Sequence, residues 1–306
     1  MKCYLIQESL AECSIEEIKK KEYQYCAIVT PDEYRSLVDV FHMGIDIEMD
    51  LKQIRETKAV VNYDSLTGTF NIPDHENYSD QKKQLAFALD ERGIVFVDED
   101  DYAERVIRDI QMTKKWKLPS LERLLYDFLE ETIKNDMSLL EIVEENLCGI
   151  ENGIMCGDIE EYPIQLNDIR YELLDLQKHY EHLIDLSQEL EENENEFFYE
   201  DNLRYFKLFT ERVKRLQDTV IQLREFIVQL RDLVSEQLSI RQNKIVTLLT
   251  VITTIFMPLT LIVGWYGMNF IYMPELRSPF GYPGVILVSI LIVVVLLYWF
   301  KKKRWM

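Results

Sequence analysis

Ile245 to Gly264 reads IVTLLTVITTIFMPLTLIVG, and Trp265-Tyr266-Gly267-Met268-Asn269 follows without a break. Twenty residues without a charge are enough to cross ~30 Å of hydrocarbon as a helix. A second apolar run, Gly284 to Phe300, reads GVILVSILIVVVLLYWF. It is short for a span, and Tyr282, Tyr298, Trp299 and Trp305 extend it as interfacial anchors. The helix of a soluble core keeps a polar face. This run has only Ser289, and it ends in Lys301-Lys302-Lys303-Arg304. Both runs therefore read as membrane spans, and everything before Ile245 as a water-soluble body.

The cations Lys301 to Arg304, with Arg241 and Lys244 before the first span, mark the cytoplasmic side. The loop between the spans carries only Glu275 and Arg277. The N-terminus, MKCYLIQESLAECSIEE, has no apolar signal-peptide core. The expectation is a multi-pass protein of the cell (plasma or inner) membrane with both termini cytoplasmic.

The first span is more than an anchor. It carries five threonines between Thr247 and Thr260, and Pro258. Asn243, Val246, Thr250, Thr253, Met257, Thr260 and Gly264 recur at steps of three and four. Asp232, Glu236 and Ser239 extend that stripe toward the soluble side. Small and hydroxylated residues pack helices together, and they also suit a water-filled path. The second span reads as lipid-facing.

Net charge is −20, from 54 acidic and 34 basic residues. That balance excludes a nucleic-acid partner, which would need a basic footprint. The five cysteines form no Cys-x-x-Cys pair, as expected of free thiols in a reducing compartment.

Residues 1 to about 118 mix strand and helix patterns and predict an α/β domain. Strands are expected at Cys3 to Gln7, Tyr25 to Thr30, Ala59 to Tyr63, Thr69 to Ile72, Gln84 to Leu89 and Ile94 to Asp98. Ser14-Ile15-Glu16-Glu17 is a capping box that opens a helix to about Tyr23. Pro31 opens another, to about Met43. Asp64 to Gly68 reads as a hairpin turn. No Gly-rich phosphate loop and no carboxylate pair with a nucleophile or base stands out. The chain is not read as an enzyme, and no organic cofactor is expected.

From Pro119 the chain reads as acidic long helices. One runs from Ser120 toward Gly149, Gly153 and Gly157. Another starts at Pro163 and ends in a bend near Asn193 or Asn195. Phe206, Phe209, Val213, Leu216, Val220, Leu223, Ile227, Leu230 and Val234 then form an unbroken heptad seam. The spacing predicts one helix from about Glu196 to Gly264, on the order of 100 Å long. It must pack against its own chain's helices and against copies of itself. His179 and His182, with Asp175, are a weak transition-metal signal.

Tyr266-Gly267-Met268-Asn269, Met273-Pro274-Glu275-Leu276, a closing Gly281-Tyr282-Pro283, two C-terminal spans and a basic tail together resemble the CorA family of magnesium channels. The motif match covers about Gln237 to Met306; the rest agrees in architecture. The resemblance implies an α+β membrane protein: an N-terminal cytoplasmic α/β domain and a very long stalk helix continuing into the first of two transmembrane helices. It also implies a funnel-shaped homopentamer in membrane lipid. The implied divisions are 1–118 α/β domain, 119–243 helix bundle and stalk, 244–264 first span, 265–283 outer loop, 284–300 second span and 301–306 basic tail.

The resemblance further implies Mg²⁺ uptake, with Co²⁺ and Ni²⁺ as further cargo. Gly267, Met268 and Asn269 would form the filter, with Asn269 holding hydrated Mg²⁺. Thr260, Met257, Thr253, Leu249, Val246, Asn243 and Asp232 would line the pore. Glu275 would attract cations or pair with Arg277. Lys301, Lys302, Lys303 and Arg304 would ring the inner mouth. Cytosolic Mg²⁺ would also be a regulatory ligand, with its carboxylates sought among Glu196, Glu200, Asp201 and Glu211. A Zn²⁺ or other divalent transporter on the same scaffold is the alternative in class. A membrane-tethered helical scaffold is the alternative outside it.

Overall fold

The computed structural model describes residues 1–20, 22–41, 43, 51–73, 82–157, 161–268, 273, 278 and 280–303. The chain divides into two units: Met1–Gly153 with Glu160–Leu230, and Ile154–Ile159 with Arg231–Met306.

The first unit is built on one sheet. Its strands are β1 (Lys2–Ile6), β2 (Leu10–Glu12), β3 (Tyr25–Val29), β4 (Lys58–Val61), β5 (Leu66–Ile72), β6 (Lys83–Asp90) and β7 (Gly93–Asp98). Their order is β2-β1-β3-β7-β6-β5-β4. Only β3 and β7 pair in parallel, with Tyr25 opposite Gly93; the other neighbours are antiparallel. All six residues of β7 are buried, as expected of a central strand covered on both faces. The period of two divides them. Val95 and Val97 join Ala27, Val29, Ala86 and Ala88 in one core. That core includes Tyr34 and Phe41 of α2 (Pro31–Phe41). The opposite face carries Phe70, Phe87 and Phe96. Phe96 stacks on Phe128 at 4.4 Å between centroids, and Phe70 lies 5.6 Å from the same ring.

Phe128 belongs to α4 (Leu121–Thr132), which follows α3 (Tyr102–Thr113). Ser120 caps α4 by accepting from the Arg123 N–H at 3.2 Å. Asp127 is buried on α4 and accepts from Trp116 Nε1 at 2.7 Å and Arg123 Nε at 3.3 Å. These donors offset the cost of burying a carboxylate.

Several local expectations need correction. The capping box is present, with the Ser14 N–H donating to Glu17 at 2.8 Å. Its helix α1 (Ile15–Ile18), however, stops well short of Tyr23. β2 is a seventh strand that three residues were too few to announce. The hairpin turn is Asn62 to Ser65, and Gly68 lies inside β5. A glycine is needed there because a Cβ would sit 2.3 Å from the Lys58 carbonyl oxygen and 2.5 Å from the Phe87 ring. The helix expected from Ser120 is two, α4 and α5 (Asp136–Cys156). Gly149 and Gly153 lie within α5, and Gly157 follows it with φ +92.

α6 (Tyr162–Glu192) ends at Asn193, whose φ of 50 is left-handed. The Asn193 side chain bridges the bend, accepting from the Phe198 N–H and donating to the Phe198 carbonyl, both at 3.0 Å. Glu196 also has positive φ, 55. The long helix therefore begins after the bend: α7 is Arg204–Tyr266, 63 residues, and not from Glu196. Its seam from Phe206 to Leu230 is buried within the chain. Ser187 of α6 donates to the Phe206 carbonyl at 3.0 Å and accepts from Thr210 at 3.0 Å. Arg224 bonds Gln177 of α6, and Arg212 pairs with Glu130 of α4. The seam is used up inside the chain, so it is not the surface that copies of the chain would share.

Candidate functional site

In the second unit, the α7 segment from Arg231 and α8 (Gly281–Lys302) carry the two apolar runs. Both helices are long and apolar enough to cross a membrane, and 6 % of each apolar window is buried. Large side chains such as Leu249, Phe256, Leu261, Leu287 and Ile290 are exposed. A soluble core would bury them; a bilayer would cover them.

The apolar stretch of α7 has two faces. Thr247, Val251, Thr254, Ile255, Pro258, Leu259 and Ile262 are buried or half-buried at steps of three and four. Pro258 and Thr254 share a groove with Leu291, Ile292 and Val295 of α8, and Thr253 and Met257 border it; the half-buried residues make this the face turned to α8. Pro258 has no N–H to offer the Thr254 carbonyl, and the resulting weak point in the helix ladder lies on the side supported by α8. Ser289 of α8 is half-buried and donates to the Val285 carbonyl at 2.8 Å.

The other face is uncovered. Asn243, Val246, Leu249, Thr253, Met257 and Thr260 are all exposed, as is Asp232 further back along α7. They are the residues of the expected pore lining, and they occupy one side of one helix. Toward the helix end the strip is concave and lined by Thr253, Met257, Thr260, Gly264 and Met268.

The threonines on α7 have a defined polarity. Thr250 donates to the Val246 carbonyl at 2.8 Å, Thr253 to Leu249 at 2.7 Å and Thr260 to Phe256 at 2.9 Å. Each hydroxyl proton is thus spent on its own helix. The oxygen keeps lone pairs directed outward. Asp232 and Asn243 make no side-chain hydrogen bond among the described residues.

α7 ends as the sequence suggests. The Gly267 N–H donates to the Val263 carbonyl at 2.9 Å, and the Met268 N–H to Trp265 at 3.3 Å. The reason for Gly267 is proximity and not a left-handed turn. A Cβ there would stand 3.0 Å from the Val263 oxygen. Met268 is exposed. Asn269, Glu275 and Arg304 lie outside the described residues. Lys301, Lys302 and Lys303 are exposed at the end of α8, with Lys303 Nζ 5.6 Å from the Trp299 ring centroid.

The regulatory candidates are solvent-exposed. Glu196, Glu200 and Asp201 sit at the bend before α7, and Glu211 two turns into it. Among the described residues of one chain, no three His, Cys, Asp or Glu side chains converge to hold a metal ion. That includes the proposed His179–His182–Asp175 set. His179 is buried, and Asp175 pairs with Lys82 at 3.3 Å.

A model of the CorA-like Mg2+ transporter protein family matches residues 25–302. Over 183 residues the chain is 32% identical to the cobalt/magnesium transport protein CorA of Thermotoga maritima, covering 60% of this chain and 52% of that one. Over 69 residues it is 45% identical to the magnesium transport protein CorA of Sodalis glossinidius, 22% of each chain. The chain thus aligns with about half the length of the first relative and about a fifth of the second. The fold resembles the complete structure of the CorA magnesium transporter from Methanocaldococcus jannaschii. The TM-score is 0.82 at 19% identity, covering 100% of this chain and 98% of that one. With the family model spanning both the sheet and the two apolar helices, the chain belongs to the CorA-like Mg2+ transporter family.

Proposed function

We propose that this chain is a Mg²⁺ uptake channel of the cell membrane, working as a homopentamer with both termini in the cytoplasm. The observation that carries the reading is the two-faced span. One face of α7 is turned to α8, and the other is uncovered and presents the Thr260 oxygen, with Thr253 at its border, both with their protons already used. Mg²⁺ gives up its water shell reluctantly. A path for the hydrated ion needs acceptors for outward-pointing water hydrogens. A ring of such faces supplies them.

In this reading, the carbonyls of Gly267 and Met268 and the amide of Asn269 form the outer filter. Asn243 and Asp232 add oxygens further in. Met257, Leu249 and Val246 form an apolar constriction that closes by dewetting. Lys301 to Arg304 surround the inner mouth. The membrane potential supplies the drive, ~4.6 kcal/mol for a divalent ion per 100 mV. Co²⁺ and Ni²⁺ are further cargo. Closure by cytosolic Mg²⁺ would draw on carboxylates from two copies of the chain, since no ligand set gathers among the described residues of one.

The test is ion flux into proteoliposomes, with Mg²⁺ and Zn²⁺ side by side. Wild-type protein carries Mg²⁺, and Asn269→Ala abolishes the flux while the oligomer mass stays that of five chains. Zn²⁺ flux without Mg²⁺ flux would transfer the assignment to a zinc transporter. A wild-type protein that assembles but carries neither ion would make the spans a tether.

A further inference from the structure

The first unit contains a cavity of about 790 Å³ that no transport step uses. It opens between Tyr25 at the start of β3, Glu91 and Arg92 in the turn between β6 and β7, Ser120, and Tyr199. Its volume is that of a small-molecule site, ~300–1,000 Å³.

Two groups in its wall are held in place and keep a donor without a partner among the described residues. Tyr25 is 4% exposed, and its hydroxyl has no hydrogen-bond partner among the described residues. Its oxygen is not sealed from solvent, so it opens to the cavity that Tyr25 lines. Burial pushes this phenol well above its usual range, with Asp90 adding to the effect. The hydroxyl is therefore a donor at any physiological pH. Arg92 is the second group. Its Nε and Nη2 donate to Asp90 Oδ2 at 3.0 and 2.9 Å, and Asp90 Oδ1 in turn accepts the N–H groups of Arg92 and Gly93 at 2.8 and 3.0 Å. The guanidinium is fixed, and Nη1 has no partner among the described residues. A fixed guanidinium edge beside a phenol donor suits a carboxylate.

The cavity is not a plain anion trap. Glu22, Asp39 and Glu91 also line it, with Lys19. Among the described residues no side chain of the three acids is hydrogen-bonded or ion-paired, and all three are exposed. The cavity thus presents both signs of charge. Two exposed rings, Tyr23 and Tyr199, complete the wall.

We propose that this cavity binds a free aromatic amino acid. Its carboxylate meets Tyr25 Oη and Arg92 Nη1. Its ammonium group faces the carboxylates of Glu22, Asp39 and Glu91. Its ring packs against Tyr23 and Tyr199. The assignment rests on the first unit alone and is independent of the ion path.

The full-length protein in detergent is titrated with L-phenylalanine and L-tryptophan, following the thermal unfolding midpoint. Binding raises the midpoint with concentration, by roughly 2–4 °C at about five times the dissociation constant. Phenethylamine, which lacks the carboxylate, and 3-phenylpropionate, which lacks the ammonium, shift it far less. Tyr25→Phe removes only a hydroxyl without a partner among the described residues, so the midpoint without ligand is unchanged while apparent affinity falls at least ~tenfold. No shift with either amino acid overturns the proposal. So does an affinity that survives Tyr25→Phe. Equal binding of 3-phenylpropionate, or a shift produced by inorganic phosphate alone, overturns the zwitterion assignment.

Discussion

The Tyr180 hydroxyl donates to Asp136 Oδ2 at 2.9 Å, and neither residue reaches solvent. The bond ties the start of α5 to the middle of α6 across 44 positions of sequence. Tyr180→Phe keeps the ring and removes a donor from a buried carboxylate. The expected loss is about 1–3 kcal/mol, seen as a lower thermal midpoint of the full-length protein. An unchanged midpoint would show that Asp136 needs no donor from α6.

Asp98 makes stability depend on pH. It accepts the N–H groups of Asp100 at 2.9 Å and Ala103 at 2.6 Å. Burial nevertheless outweighs these bonds and raises its carboxyl above the usual value. The folded state therefore holds this proton longer than the unfolded chain. The contribution is fully present below the unfolded carboxyl's value, ~3.9, and is lost as pH rises through the raised folded value. The midpoint of wild type minus that of Asp98→Asn should fall across that window and then level off. A difference independent of pH would rule this out.

Gly68→Ala tests the close approach of β4, β5 and β6. The added Cβ would meet the Lys58 backbone oxygen at 2.3 Å and the Phe87 ring at 2.5 Å. A ring can swing aside; a paired strand cannot easily do so. Overpacking of this kind costs about 1–3 kcal/mol. Gly149→Ala, where nothing stands within 4 Å of the new atom, is the control and should be neutral or slightly stabilising through helix propensity.

Thr260→Val separates the lone pairs on the uncovered face from its shape. Valine matches threonine in outline, and the helix loses only the side-chain bond to the Phe256 carbonyl. If hydrated Mg²⁺ uses these oxygens, removing a ring of them slows flux by up to roughly tenfold, the scale of one net hydrogen bond per ion. Thr254→Val, on the face turned to α8, should leave flux near wild type. Equal effects from the two variants would remove the face argument.

Much of the fold is legible in the sequence because periodicity is written along the chain. The six expected strands exist within a few residues of their predicted bounds. The Phe206-to-Val234 seam and both apolar runs stand where their spacing puts them. What failed was context. Gly68 looks like a turn residue until Phe87 is seen beside it. The seam looks like an interface between copies until α6 is seen on it, through Ser187 and Thr210. The stripe from Asn243 to Thr260 was legible because a single helix carries it. The cavity at Tyr25 was not, because its wall comes from distant segments and no local pattern joins Tyr25, Arg92 and Tyr199.

The threonine hydroxyls that bond back to their own helix have one more consequence. A hydroxyl is ordinarily amphoteric: it can solvate chloride through its proton as readily as sodium through its oxygen. Thr250, Thr253 and Thr260 have given up the first option. An anion approaching these three hydroxyls meets only negative ends of dipoles and recovers none of its dehydration cost. If this face lines the ion path, its threonines would discriminate by sign of charge before any filter discriminates by size.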